Sequence, residues 1–362
     1  MDCWMNINPA PLENQKSEVD ELISILLPIY NSQEILPECL DSILGQTYRN
    51  FEVVVVDDGS TDGTPALLTS YAKKDSRIKI FCFTENRGIV EALNYGLDQC
   101  RGNWIARMDA DDIMMPERLA VQFAYMMKHP NIDLLGAQVR IFRGDKALTE
   151  GQLRYQDWGN SLVTDEAIKL EIFAESPIMH PTFFLSKKFY GVMGGYQSNP
   201  WAEDYDFILR AFRENAIFAK VPQVLVAKRD SPTRLARTDP RCKRKAMFNA
   251  KAHYFAQIKS QLGDRRIIIA GTGSSGRKAC ASLKRETVTV NGFVDNASGK
   301  ETRTISGIPV ETLNTDTAAK YFAEYQDCFF ILCIGVPEGL EMIQGLFRQY
   351  HLKPGQDYIR FI

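Results

Sequence analysis

The chain has 362 residues, of which 45% are hydrophobic and 24% charged, and its formal net charge is −2. This length fits two domains, and the composition is ordinary for a globular protein that buries a core. Because there is no global basic field, we expect no nucleic-acid partner. Binding of a phosphorylated small molecule needs only a few local groups, so the net charge does not exclude it.

The eight cysteines and four histidines are dispersed along the chain. They form no CxxC pair and no ligand cluster, so we expect reduced thiols, a cytoplasmic setting and no zinc site. No apolar run approaches the roughly 20 residues that span a bilayer. Residues 1–21 lack the features of a signal peptide and are interpreted as a poorly ordered lead-in.

The first part of the chain alternates short apolar runs with helical patterns. The runs predict strands at 23–30, 51–57, 78–83 and 104–108, and the patterns between them predict helices at 33–46, 64–73 and 88–100. This β-α-β-α-β-α-β order predicts an open parallel sheet. Ligands bind beyond the carboxyl ends of such strands, where the loops with residues 28–30, 57–58 and 109–112 fall.

Beyond Pro116 the pattern is looser. It predicts helices at 117–128, 164–173, 203–212 and 246–262, strands at 134–142 and 221–228, and a polar loop at 146–160. A basic region at 228–229 and 234–245 is interpreted as a solvated or salt-bridged surface. The alternative is that it approaches an anionic membrane or a diphosphate-linked acceptor.

A second unit begins near residue 264. Gly271, Gly273 and Gly276 follow a predicted strand and open a helix, and Asp295 ends the next predicted strand, 288–295. A later strand is predicted at 328–335. This context favours a Rossmann-like domain in which the glycines approach a pyrophosphate and Asp295 holds a ribose hydroxyl.

Two carboxylates, Asp109 and Asp111, directly follow the fourth predicted strand of the first unit. Asp109 and Asp111 can bind Mn²⁺ or Mg²⁺, which prefer carboxylate and phosphate oxygens. A metal held there can act as a Lewis acid on a leaving diphosphate. A lone DxD is weak evidence, because acidic loop residues are often only solvated, but its place at a strand end strengthens it.

Four segments occur in order: LPIYN at 27–31, VDDGSTD at 56–62, NRG at 86–88 and MDADD at 108–112. Together they resemble family 2 glycosyltransferases of the GT-A fold, over residues 22–228. The resemblance implies that Pro28 and Tyr30 lie against the nucleotide base. It also implies that Asp58, with Asp57 as an alternative, accepts the uracil N–H, a charge-assisted hydrogen bond.

The same resemblance assigns further donor-side roles. Asp109 would contact the ribose and Asp111 would bind the metal, with Asp112 behind them or capping a helix. Arg87 lies where a basic residue can approach the donor, although a solvated arginine is an equal interpretation.

On the acceptor side, the resemblance implies that Asp204, in the pair with Glu203, is the general base. Charge at a helix N-terminus is the structural alternative, and Asp206 is the next candidate. His180, in the segment MHPTF at 179–183, either reaches phosphate or metal or is packed. Trp201 either stacks on an acceptor sugar or fills the core.

The segments GFVDN at 292–296 and SGIPV at 306–310 resemble the nucleotide-sugar-binding domain of bacterial sugar acyltransferases. A nucleotide or NAD(P) is the ligand this implies, and a regulatory or oligomerising relic is the alternative. No Tyr-x-x-x-Lys motif of a dehydrogenase is found.

We therefore predict a lead-in at 1–21, a GT-A domain at 22–240, a helical connector at 241–263 and a Rossmann-like domain at 264–362. The predicted function is inverting, metal-dependent transfer of one sugar, in bacterial surface polysaccharide synthesis. The donor is a nucleotide sugar, a UDP-hexose first, and the acceptor a saccharide or lipid-linked molecule. Peripheral contact with the inner face of the membrane and homo-oligomerisation are left open. The alternatives are an NAD(P)-dependent sugar oxidoreductase and a non-catalytic nucleotide-sugar-binding protein.

Overall fold

The computed structural model of the protein describes residues 21–144, 146–231, 234–296 and 304–362. These residues form two α/β units around an eight-stranded and a six-stranded sheet, which confirms the predicted fold class. Apart from residue 21, the predicted lead-in lies outside the described residues. Within the described residues, no helix combines the length and apolar character that crossing a membrane requires.

The sheet of the first unit has the order β3-β2-β1-β4-β7-β6-β8-β5. Strands β1 to β4 are parallel to one another, whereas β7 pairs antiparallel with both β4 and β6. The strands are β1 (Ile23–Ile29), β2 (Phe51–Asp57), β3 (Ile78–Cys82), β4 (Trp104–Arg107), β5 (Ile113–Met114), β6 (Leu134–Phe142), β7 (Phe184–Ser186) and β8 (Phe218–Arg229).

Every residue of β1 and β2 is buried. Their continuous apolar runs are typical of parallel strands covered by helices on both faces. Each fully buried Val, Leu or Ile contributes about 1.5–3 kcal/mol relative to an exposed position. The helices of this unit are α1 (Leu36–Leu44), α2 (Thr64–Lys74), α3 (Ile89–Gln99), α4 (Arg118–Lys128), α5 (Glu150–Ser161), α6 (Asp165–Glu171), α7 (Lys187–Val192), α8 (Glu203–Arg213) and α9 (Leu235–Thr238).

The polar loop predicted at 146–160 is wrong, because most of it forms helix α5. Thr149 is the N-cap, and its side chain accepts a hydrogen bond from the backbone N–H of Gln152. The side chain of Gln152 bonds back to the backbone of Thr149, completing a capping box. Capping satisfies the free N–H groups of the first turn, so a mainly polar segment can be helical.

The sheet of the second unit has the order β11-β12-β10-β9-β13-β14, and all pairs except β11 with β12 are parallel. Counted along the chain, the parallel strands follow the order 3-2-1-4-5 of doubly wound sheets. The strands are β9 (Arg266–Ala270), β10 (Gly292–Asp295), β11 (Thr304–Ile305), β12 (Ile308–Thr312), β13 (Cys328–Leu332) and β14 (Tyr358–Arg360), and the helices are α11 (Ser274–Arg285), α12 (Ala318–Glu324) and α13 (Pro337–Gln349). The strand predicted at 288–295 thus begins later, at Gly292.

Helix α10 (Arg244–Ile258) connects the two units and packs against α8 and α11. Its Lys251 is buried, and the ammonium group donates to the carbonyls of Ala174 and Phe361 at 2.7 Å each. One buried cation therefore ties the connector to the first unit and to the end of the chain.

Candidate functional site

A cleft of about 660 Å³ opens at the carboxyl ends of β1, β2 and β4. The parallel register pairs Ile29 with Asp57 and Leu26 with Arg107, so the loops after these strands leave the sheet at one edge. The residues that line the cleft include Pro28, Tyr30, Asp58, Gly88, Asp109, Asp111, Arg234 and Arg241.

The first wall of the cleft is the loop after β1. Pro28 is buried, whereas the ring of Tyr30 is 47% exposed and free to meet a ligand. Asn31 connects this loop to the loop after β2. Its backbone N–H donates to the Ser60 hydroxyl at 2.8 Å, and its side-chain oxygen accepts from the backbone N–H of Thr61 at 2.9 Å.

The carboxylate of Asp58 holds the loop that follows β3. Its oxygens accept hydrogen bonds from the backbone N–H groups of Arg87 at 2.7 Å and Gly88 at 2.9 Å. Burial raises the pKa of Asp58 above its ordinary value, and the charge of Asp57 adds to the rise. Asp57 itself is buried and accepts from the backbone N–H of Ser60 at 3.0 Å.

Three carboxylates cluster after β4. Asp109, Asp111 and Asp112 each offer an oxygen, and these oxygens lie within 4.8 Å of one another. Asp112 is fully buried, and its Oδ1 accepts from the backbone N–H of Arg229 at 2.8 Å, so it caps no helix. Its Oδ2 has no hydrogen-bond donor among the described residues. A buried oxygen of this kind is costly unless a cation satisfies it, so this donor set fits Mn²⁺ or Mg²⁺.

Basic side chains surround this acidic cluster. Arg107 is 1% exposed and forms an ion pair with Asp109. Arg234 places Nε 3.4 Å from Asp111 Oδ2 and Nη2 3.7 Å from Asp109 Oδ2. Burial alone would raise the pKa of Asp109, but the charges of Arg107, Lys228 and Arg234 lower it far below its ordinary value. Asp109 is therefore ionised throughout the physiological range.

Two adjacent carboxylates, Glu203 and Asp204, begin helix α8 and lie next to Arg241, which lines the cleft. Glu203 is 6% exposed, with Oε2 3.7 Å from Arg241 Nη2, and burial followed by the charge of Asp204 raises its pKa to about 7. Asp204 is half-buried, and its Oδ1 accepts from the backbone N–H of Tyr205 at 2.7 Å. Burial also raises the pKa of Asp204, and a raised proton affinity suits a general base.

Other predicted side chains lie away from the open cleft. His180 is buried, with Nε2 2.7 Å from the Tyr196 hydroxyl, and burial lowers its pKa well below the ordinary value. Trp201 is 7% exposed and its indole N–H donates to Asp206 at 2.8 Å, so the ring fills the core. The guanidinium of Arg87 lies over the Phe83 ring, 4.7 Å from its centroid, and only the backbone of this residue meets Asp58.

Asp206, the second candidate for the base, is fully buried and holds a structural network. Its Oδ2 accepts from Arg210 Nε at 2.7 Å. Its Oδ1 accepts from Asn199, Trp201 and Tyr254 at 2.7–2.8 Å. A carboxylate with these partners has no access to an acceptor.

The glycine loop of the second unit lines a separate cavity of about 210 Å³, together with Asp295. Gly271 has φ +110°, and a Cβ at Gly276 would lie 1.9 Å from the carbonyl oxygen of Gly271. Asp295 Oδ2 accepts hydrogen bonds from the backbone and side chain of Thr272. The loop is therefore tightly packed and its acidic residue is bound to it.

The sequence patterns do not single out Arg107, and they predict a solvated or salt-bridged surface region for Arg234 and Arg241. In the structure Arg107 lies under the acidic cluster, and the other two line the cleft. The signal for Arg107 is a charged residue that closes an otherwise apolar buried strand. Arg234 and Arg241 lie more than a hundred positions beyond Asp109 in the chain, so only the fold brings them to the same cleft.

A sequence model described as "Glycosyl transferase family 2" matches residues 24–191. An uncharacterized glycosyltransferase of Haemophilus influenzae is 32% identical over 212 residues, which are 58% of this chain and 65% of that protein. The amylovoran biosynthesis glycosyltransferase AmsE of Erwinia amylovora is 33% identical over 215 residues, which are 58% of this chain and 76% of AmsE.

Among solved structures, residues 1–349 of S. aureus TarS in complex with UDP-GlcNAc align with a TM-score of 0.51. The alignment covers 74% of this chain and 80% of that chain at 19% identity. At this identity the similarity shows a shared fold.

Proposed function

The chain belongs to glycosyl transferase family 2, and we propose that it is a metal-dependent enzyme that transfers one sugar from a nucleoside diphosphate sugar to an acceptor hydroxyl, with inversion. The observation that carries this proposal is the cleft at the strand ends, which combines Asp58 with an oxygen cluster suited to a divalent cation. A carboxyl pair of raised proton affinity lies next to Arg241 of the cleft wall.

The nucleotide end of the donor would lie between the loops after β1 and β2. The exposed ring of Tyr30 offers an apolar face for the base, and Asp58 offers a carboxylate acceptor for a uracil N–H. TarS, which shares the fold, was crystallised with UDP-GlcNAc. UDP-sugars are therefore the first donors to test.

The diphosphate end would lie over the acidic cluster. Asp111 would hold the divalent cation, Asp109 would contact the ribose, and the buried Oδ2 of Asp112 would lie behind them. A bound cation supplies neutralisation of the leaving diphosphate. Arg107 keeps Asp109 ionised across the physiological pH range, so this carboxylate stays negatively charged.

Asp204 would take the proton of the acceptor hydroxyl as it attacks the sugar. One of its oxygens is bound by the backbone of Tyr205, and the side chain is half-buried, so the other oxygen remains for the acceptor. Attack by a single hydroxyl on the face opposite the leaving group inverts the anomeric centre.

The acceptor would approach through a second cavity of about 340 Å³ beside the cleft, which shares Arg234 with it. Helix α5 contributes Gln152 and Tyr155 to this cavity, and the end of β8 contributes Lys228. An aromatic ring beside polar groups suits a saccharide. We place the reaction in bacterial surface polysaccharide synthesis, in keeping with AmsE, whose name assigns it to amylovoran biosynthesis.

The test is donor hydrolysis, measured as nucleoside diphosphate released from a panel of UDP-, GDP- and other nucleotide sugars. We expect release from one donor with Mn²⁺, loss of release with EDTA, and loss in Asp111→Ala. Asp98→Asn, an exposed carboxylate on α3, is the matched control and should behave as wild type. If no donor is hydrolysed, calorimetric titration with UDP and Mn²⁺ distinguishes an enzyme that is inactive without its acceptor from a protein that has no donor site. Absence of binding in that titration contradicts the proposal.

For the second unit, we propose a nucleotide-binding role at Gly271, Gly273, Gly276 and Asp295. The cavity at the glycine loop, at the carboxyl ends of β9 and β10, supports this role. The test is titration of the wild type and of Asp295→Ala with UDP and with NADH, because binding that this variant loses must come from the glycine-loop cavity, which Asp295 lines. If Asp295→Ala binds both nucleotides as the wild type does, or if neither protein binds either of them, the role is refuted for these ligands.

A further inference from the structure

Arg234 occupies a position between the two carboxylates that the proposed function assigns to the donor and its metal. Its Nε faces Asp111 and its Nη2 faces Asp109, at 3.4 and 3.7 Å. The side chain is 11% exposed, so little water screens these attractions. One guanidinium thus lies within ion-pair distance of both members of the DxD pair.

A divalent cation could not bind these carboxylates without meeting Arg234. Metal–oxygen distances are about 2.0–2.6 Å, so an ion bound to Asp111 Oδ2 would lie within about 6 Å of Nε. Two positive charges at that separation, in a partly buried site, repel each other. Arg234 and the metal therefore compete for the same carboxylates, unless an anion enters between them.

The guanidinium is held by few other contacts. Its one further hydrogen bond among the described residues runs from Nη1 to the carbonyl of Arg229 at 2.8 Å. Helix α9, which Arg234 precedes, has no buried residue. A side chain on such a lightly packed segment can be redirected at low cost. Arg234 lines both the donor cleft and the neighbouring cavity, so an anion in either can reach it.

We propose that Arg234 is a diphosphate-binding residue that takes the place of the metal when the donor is absent. When metal and nucleotide enter together, the guanidinium leaves the carboxylates and pairs with the diphosphate, where a planar fork of donors matches the oxygens. Metal binding is then coupled to nucleotide binding, because the nucleotide removes the competing charge from the metal site. This inference rests on the proposed function of the cleft.

The test measures Mn²⁺ binding directly, from the electron paramagnetic resonance signal of free Mn²⁺, in the full chain with and without UDP. Without UDP, Arg234→Ala should bind Mn²⁺ about tenfold more tightly than wild type, since its competitor is gone. With saturating UDP the order should reverse, and the variant should bind Mn²⁺ about tenfold more weakly. Arg234→Gln keeps the side-chain length and serves if the alanine variant does not fold.

Arg237→Ala is the matched control. It removes the same charge three residues away, but Arg237 pairs with Asp230 at 2.7 Å and not with the DxD carboxylates. A general charge effect would change Mn²⁺ affinity equally in both variants and would overturn the inference. So would an unchanged or weaker Mn²⁺ affinity of Arg234→Ala without UDP. If wild type binds no Mn²⁺ even with UDP, the proposed metal-dependent donor site itself fails, which is a distinct result.

Discussion

The neighbouring carboxylates Asp204 and Asp206 should separate into a catalytic and a structural residue. In Asp206→Asn, the side-chain oxygen can still accept from Asn199, Trp201 and Tyr254. The new amide NH₂ is a donor, so it cannot replace the Oδ2 that accepts from Arg210 Nε. Arg210 is 3% exposed, so the substitution leaves a buried guanidinium without its counter-charge. Breaking a buried ion pair in this way costs about 3–5 kcal/mol. Because Arg210 keeps hydrogen bonds to the carbonyls of Met193 and Gly195, we expect a cost of about 3 kcal/mol.

The assay is urea unfolding followed by tryptophan fluorescence. Three of the four tryptophans, Trp104, Trp158 and Trp201, lie in the first unit, so the change in emission on unfolding reports mainly on that unit; Trp4 lies outside the described residues. Asp206→Asn should lower the free energy of unfolding of the first unit by about 3 kcal/mol. The turnover of the folded variant should stay within a few-fold of wild type. Asp204→Asn should keep stability and lose about 10²–10⁴-fold in turnover. A stable Asp206→Asn that has lost turnover would refute the assignment of the base.

Three further predictions concern pH, the glycine loop and the nucleotide. Below pH 4.5, the ordinary pKa of a glutamate, the Glu203 carboxyl is protonated in both the folded and the unfolded protein and does not oppose folding. Its pKa in the folded protein is raised to about 7, so the carboxyl destabilises the fold progressively as the pH rises from 4.5 toward 7. Glu203→Gln should therefore be more stable than wild type at pH 8 by up to about 2 kcal/mol but not at pH 4, as measured by urea unfolding at both pH values. Gly276→Ala, whose Cβ would overlap a carbonyl oxygen, should destabilise the second unit by at least about 1–3 kcal/mol. Gly273→Ala should be tolerated, because a Cβ there meets nothing within 4 Å. Limited proteolysis of the two variants measures the difference. Asp58→Asn keeps one acceptor for two backbone N–H groups and should raise the UDP dissociation constant about tenfold or more, as measured by calorimetry; an unchanged affinity would remove Asp58 from the donor site.

Sequence alone predicted the parts of the protein that local chemistry encodes. Continuous apolar runs indicated the buried strands β1, β2 and β4, and their alternation with helical patterns indicated a parallel sheet. A parallel sheet brings its strand ends to one edge, so Pro28, Tyr30, Asp58, Asp109 and Asp111 could be placed in one cleft before the structure was known, and the structure brings them together there.

Local pattern did not predict helix α5. Its composition is mainly polar, and the helix depends on the capping box of Thr149 and Gln152 and on packing against β6. It also left two roles open for Trp201 and for His180. Burial decides such cases, and burial depends on which segments pack together, a property that no single segment carries.

The charge balance of the site was decided only by the tertiary structure. Arg107 is separated from Asp109 by one residue, but its pairing depends on a dry interior that the whole sheet creates. Arg234 reaches Asp109 and Asp111 because β8 returns to the sheet beside β5 and β6. Electrostatic attraction depends on distance through space and on exclusion of water, whereas sequence records only distance along the chain. The sequence therefore determined which carboxylates the site contains, and the fold determined which arginines lie opposite them.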